Sequence, residues 1–173
     1  MQSYDFSLIY KQAASAIEKY GFVVHPRCKI KDSNTGEFDG VNIWVKDEQS
    51  DEQALYVLLH LFGHSVQWNV DEELMKIGID TTLSRTEEEL LKVYDYERQA
   101  SEMAIKLLES IGITYLNQWI SNWFHADWMW LKHLYSTGER VGYLTYWIDD
   151  AELLQPCDIP EFTPQLFESR NSF

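Results

Sequence analysis

Residues 53–68 read QALYVLLHLFGHSVQW. The run is apolar enough for a buried helix, and within it His60 and His64 stand four apart. On a helix, side chains four apart leave one face with Cβ atoms about 5–6 Å from each other. Two imidazoles so placed can converge on one tetrahedral ion at roughly 2.0–2.1 Å each. Spacing alone is a weak signal, because a histidine in an apolar helix is more often a core residue satisfied by one hydrogen bond.

Outward from this stretch, Ser50 and Gln53 form a capping-box pattern, which starts the helix near Asp51 and carries it to about Trp68. Thr86 and Glu89 repeat the pattern and open a long helix through EEELLKVYDYERQASEMAIKLLES, stopping near Gly112. Its apolar stripe runs Leu90, Val93 or Tyr94, Ala100, Ala104, Leu107 or Leu108, and Ile111, and Glu97 falls in the middle of it. A carboxylate facing a core is expensive unless it is paired or coordinated. Two histidines on one helix and a carboxylate from a later one form the ligand set of a thermolysin-type zinc site. Pairing of Glu97 with a buried arginine, or a tilt to solvent beside Arg98, is the structural alternative.

With the strand-like VNIWVKD ahead of HLFGH, and ERQASEMAIKLL after it, the chain resembles the ImmA/IrrE-type zincin-like metallopeptidases over roughly residues 5–110. In that family a strand leads into a helix carrying HELGH or HEFGH, and a later helix supplies E-x-E/Q-A-N/D-x-F-A-x-x-L-L. The resemblance implies that His60, His64 and Glu97 ligate zinc or another divalent ion. It also implies that Gln99, Ala100, Ala104, Leu107 and Leu108 take helix-packing positions, with Gly63 on the family's glycine. Leu61 stands where the family has its general base, and Ser101 and Met103 replace the usual Asn/Asp and Phe. Glu109 and Ser110 take the place of the Met-Pro that closes the second motif. Without a carboxylate at 61, metal-bound water has no adjacent proton acceptor, a contribution typically worth about 10²–10⁴-fold. Glu102, Asp95 and Asp127 are the candidate substitutes.

Elsewhere the chain supports this core. Residues 4–20 place Phe6, Ile9, Ala13 or Ala14, and Ile17 on one helical face ended by Gly21. FVVHPRCKIKD reads as an edge or irregular segment because of Pro26, DSNTGEFDG as turn, and VNIWVKD as strand. Residues 114–136 read as helix with a break around Ala126 to Trp128. Five of the seven tryptophans fall between 115 and 147, and Trp119, Trp123 and Trp130 share a stripe that suits core packing or an aromatic interface. His125 and His133 lie eight apart on one face and are read as ordinary residues or, through Asp127, as support for the ligands. GERVGYLTYWIDD is ambiguous, and QPCDIPEFTPQLF, with three prolines, reads as an irregular arm.

The expected fold is therefore α+β and mostly helical. A zincin-like core over 1–112 with a small amino-terminal sheet would carry a tryptophan-rich helical extension over 113–173, packed as one compact domain. The 173 residues include 28 acidic and 14 basic side chains, a formal charge of −14. Such a surface repels nucleic-acid phosphates and anionic lipid, leaving a protein or peptide, or a second copy through the tryptophan helices, as the expected partner. The amino terminus MQSYDFSLIY lacks a signal-peptide pattern, and Cys28 and Cys157 share no metal or redox spacing, so reduced thiols in the cytoplasm are expected. Three functions remain open: a metal-binding, metallopeptidase-like protein with lost or atypical hydrolysis; a metal-dependent hydrolase with a non-standard base; and a metal-free interaction domain.

Overall fold

The computed structural model describes residues 4–31 and 34–173. Its elements run α1 (Phe6–Glu18), β1 (Val23–Val24), β2 (Gly36–Phe38), β3 (Asn42–Val45), α2 (Asp51–Val70), α3 (Glu72–Ile79), α4 (Glu87–Ser110), α5 (Asn117–Thr137) and β4 (Asn171–Ser172). This is an α+β arrangement, about half of it helical.

The histidine helix is the centre of the molecule. Every residue of α2 from Ala54 to Trp68 is buried, so the helix has no solvent face over four turns. A helix apolar all round has to be enclosed on all sides. Here α1, α3, α4 and the β2–β3 pair enclose it. Its start is set by the Ser50 side chain, which accepts a hydrogen bond from the Gln53 amide. The start of α4 is the full reciprocal capping box of Thr86 and Glu89.

The sheet order is β1-β3-β2-β4. Val23 pairs with Asn42 in parallel, while Gly36 faces Val45 and Phe38 faces Ile43 in an antiparallel hairpin. Phe38, Ile43 and Val45 turn inward onto α2 and are fully buried. Gly36 is required by closeness: a Cβ there would fall 2.6 Å from Leu61 Cδ1 and 2.7 Å from Val57 Cγ1. The hairpin thus lies directly on the helix that carries the histidines.

Several expectations need correction. DSNTGEFDG is not wholly turn, because its Gly36–Phe38 forms β2; Asp32 and Ser33, like residues 1–3 of the amino terminus, lie outside the described residues. The break expected near Ala126 to Trp128 is absent: α5 runs unbroken to Thr137 and ends on Gly138 in the left-handed conformation (φ 74°). Helix α3 was not foreseen, nor was β4. The proline-rich arm is irregular as expected, and it packs Ile159, Phe162 and Phe167 against the core. Trp119 and Trp123 are buried within the chain, against Tyr56 and each other, while Trp128 and Trp130 are half-buried. Cys28 and Cys157 are free thiols. No helix among the described residues is long and apolar enough to cross a membrane.

Candidate metal centre

His60 and His64 project from successive turns of α2, and Glu97 comes from α4, which packs along it. The two helices touch at Gly63 and Ala100, where the missing side chain lets the backbones meet. That close approach brings the three groups to one point. His64 Nε2 lies 2.9 Å from His60 Nε2 and 3.0 Å from Glu97 Oε2, and His60 Nε2 lies 3.3 Å from the same oxygen. Bonds of zinc length in a tetrahedron hold donor atoms about 3.3 Å apart. The spacing found is close to that, a few tenths of an ångström tighter. All three residues are buried, with Glu97 the most exposed at 8%.

The hydrogen-bond network shows how the ring nitrogens are used. Gln67 Nε2 donates to the Tyr96 carbonyl at 2.8 Å and to Gln99 Oε1 at 2.9 Å. Both amide hydrogens are thereby spent, and Gln67 Oε1 is turned toward His64 Nδ1 at 2.7 Å. In the neutral ring Nδ1 must carry the proton, so His64 Nε2 presents a lone pair to Glu97 Oε2. Two acceptors at 3.0 Å repel unless a proton or cation stands between them. This is the outer-shell arrangement that fixes a metal-ligating imidazole in the right tautomer.

Burial, reinforced by the neighbouring His64, pushes His60 well below its ordinary 6.5, so the ring is held neutral and able to ligate. Its Nδ1 has no hydrogen-bond partner among the described residues. Aromatic rings wall the site: Tyr96 stacks on His64 at 4.3 Å and Phe173 covers His60 at 4.2 Å. The cluster opens into a cavity of about 110 Å³ that Leu61 also lines, so the position next to the first histidine presents hydrocarbon there.

Two of the three substitute bases lie elsewhere. Asp95 is exposed beside Arg98, and Glu102 lines a separate surface cavity with Cys157. Asp127 is 1% exposed and lines a neighbouring cavity of about 430 Å³. Burial, with Glu97 nearby, raises its carboxyl well above the ordinary 3.8, toward the protonated form. Oδ1 accepts from the Tyr143 hydroxyl at 3.1 Å, and the Tyr56 hydroxyl also neighbours this carboxyl. Neither His125 nor His133 joins the cluster; His133 Nδ1 instead meets the Tyr146 hydroxyl at 3.1 Å.

Sequence reading missed Gln67, Tyr96 and Phe173. Gln67 carried a usable signal, lying three after His64 on the same helical face. Tyr96 and Phe173 carried none, because their roles come from α4 and β4 folding back on α2.

The fold and site define an α+β protein whose buried His60–His64–Glu97 group can bind a metal ion of undetermined identity. No protein-family model matches the chain, and no curated protein or solved structure matches it.

Proposed function

We propose that this chain is a divalent-metal-binding, metallopeptidase-like protein whose hydrolytic chemistry is lost or altered and which acts by holding a protein or peptide. The observation that carries the reading is the convergence of His60 Nε2, His64 Nε2 and Glu97 Oε2 from two helices, with the His64 tautomer fixed by Gln67. Two imidazoles and a carboxylate at near-tetrahedral spacing suit zinc. The order of hairpin, histidine helix and glutamate helix is consistent with the ImmA/IrrE-type resemblance and a zincin-like core.

A bound ion of this kind would polarise an oxygen ligand and lower the pKa of bound water. The chain's own groups do the rest. His64 is oriented by Gln67, Tyr96 and Phe173 exclude water from the rings, and Glu97 balances the ion's charge. What is missing is a proton acceptor over the reacting water. Leu61 cannot serve, and Asp127 lines the neighbouring cavity, its carboxyl biased toward the protonated form.

A cation at the contact between His64 Nε2 and Glu97 Oε2 would relieve the repulsion of two acceptor atoms, as a shared proton also would, and this supports the metal-bound reading over the metal-free one only together with the third donor, His60 Nε2. Digestion of a peptide library by zinc-loaded protein, with metal-stripped protein as the control, tests the hydrolytic half of the proposal. Native protein should give little or no cleavage. Leu61→Glu should raise metal-dependent cleavage within the general-base range of about 10²–10⁴-fold. Robust metal-dependent cleavage by the native sequence would overturn the assignment of impaired hydrolysis.

A further inference from the structure

The metal cavity is closed on one side by the chain's last residues. Phe167 N donates to the Asp39 carbonyl at 2.9 Å, and the chain then follows the outer edge of β2. Ser172 pairs with Glu37 and Asn171 with Phe38 in antiparallel register. Phe173 N donates to the Gly36 carbonyl at 2.9 Å, and the Phe173 carbonyl accepts from the Thr35 amide and hydroxyl and from the Gly36 amide.

In an extended chain, residues three apart face opposite sides. On the inner side the Phe173 ring covers His60 at 4.2 Å and meets Tyr56 and Tyr143 at 6.2 Å each. On the outer side Arg170 lies over the Trp44 ring at 4.6 Å, with Nη1 3.6 Å from Glu37 Oε2. Ser172 and Phe173 line both the metal cavity and the 430 Å³ cavity containing Asp127. The segment is therefore the partition between two cavities.

Its hold is local, made to residues 35–38 and to Trp44. Only two residue pairs form the ladder, at a sheet edge, and Arg170 and Ser172 are exposed. An edge strand offers unpaired N–H and C=O groups to any extended chain that replaces the one paired with it.

We propose that residues 170–173 are a displaceable strap, and that the groove they fill binds an extended peptide segment with an aromatic residue three positions after a basic one. The aromatic ring enters between His60 and Tyr143, and the basic group rests on Trp44 beside Glu37. Main-chain bonds to β2 carry the affinity, and the two side-chain seats carry the selectivity. The Glu37 carboxylate beside the Trp44 ring favours a basic group at the outer seat. The proposal goes beyond metal binding and is tested without it.

The probe is a fluorescein-labelled hexapeptide with the sequence of residues 168–173, ESRNSF, titrated into the metal-stripped 173-residue chain and followed by anisotropy. Phe173→Pro removes both the ring and the amide that donates to Gly36. The variant should bind the peptide saturably and about tenfold or more tighter than the native chain, whose own strap competes. A peptide ending in alanine should lose about tenfold. If the variant keeps its circular dichroism and cooperative melting yet binds no better than the native chain, the strap is a permanent strand and the proposal falls.

Amide exchange in the native chain decides the matter should Phe173→Pro not fold. The Phe173 and Lys46 amides make hydrogen bonds of equal length, 2.9 Å, on opposite edges of β2. Phe173 should exchange about a hundredfold faster than Lys46, and excess hexapeptide should slow the Thr35 and Gly36 amides. Equal protection, or no response to peptide, overturns the proposal.

Discussion

Replacing Gly63 with alanine is the sharpest structural perturbation of the centre that touches no ligand. A methyl group there would lie 2.6 Å from the Ala100 Cα and 2.7 Å from its carbonyl carbon, with the Ala100 oxygen closer still. Carbon contacts settle near 3.5–4.0 Å, so α4 must withdraw from α2 by roughly 1 Å. The obstacle is backbone, which no rotamer change relieves. Overpacking of this kind costs about 1–3 kcal/mol, and the upper end applies. Alanine in a helix recovers up to about 1 kcal/mol of propensity relative to glycine. The net loss is about 2 kcal/mol, which for a chain of this size lowers Tm by about 4–8 °C. Glu97 sits one turn from Ala100, and metal ligation tolerates only about 0.2 Å of misplacement, so zinc affinity should fall as well. Melting of metal-free protein followed by calorimetric zinc titration reads both effects. The sign is decisive. An unobstructed helical glycine gains stability on conversion to alanine, so a raised Tm with unchanged zinc affinity would refute the close approach and the geometry built on it.

Other outcomes follow from the buried titratable groups. His60 is held neutral in the folded chain while the unfolded chain protonates near 6.5. The unfolded state therefore binds more protons below that pH. Relative to His60→Ala, which keeps every other titrating group, metal-free protein should lose stability as pH falls through this region, at up to about 1.4 kcal/mol per unit, with urea unfolding of both proteins from pH 7.5 to 5 as the measurement. A difference between the two proteins that does not change with pH would contradict the buried, neutral imidazole. Asp127 works in the opposite direction: its raised folded value means that stability is full below 3.8 and is lost as pH rises. Asp127→Asn keeps an acceptor for Tyr143 and should be stabilising at pH 7, with an advantage that shrinks toward pH 4. A pH-independent difference between the two proteins would contradict the buried, protonated acid.

The parts of the fold that the sequence disclosed are those coded by neighbouring residues. Ser50 with Gln53 and Thr86 with Glu89 mark the starts of α2 and α4 because caps are local hydrogen bonds. His60 and His64 were legible because helical spacing alone puts them on one face, and Glu97 because a carboxylate interrupts an apolar stripe. What stayed hidden depends on distant partners. β2 read as turn because Gly36 is a strand residue only in view of Leu61 and Val57 beneath it. β4 takes its register from β2, more than 130 residues earlier, and no local pattern announces it. α3 is amphipathic but eight residues long, so its pattern covers barely two turns and gave too short a stretch to read as an element. The burial of Asp127 and the orientation of His64 by Gln67 are likewise products of packing.

Metal content tests the central claim most directly. Chain purified without a polyhistidine tag, equilibrated with zinc and freed of excess, should carry one divalent ion per molecule by elemental analysis. His64→Ala and Glu97→Ala, checked for retained fold, should carry none. Protein that takes up no stoichiometric metal, or a His64→Ala variant that holds as much as the native chain, would contradict the metal centre.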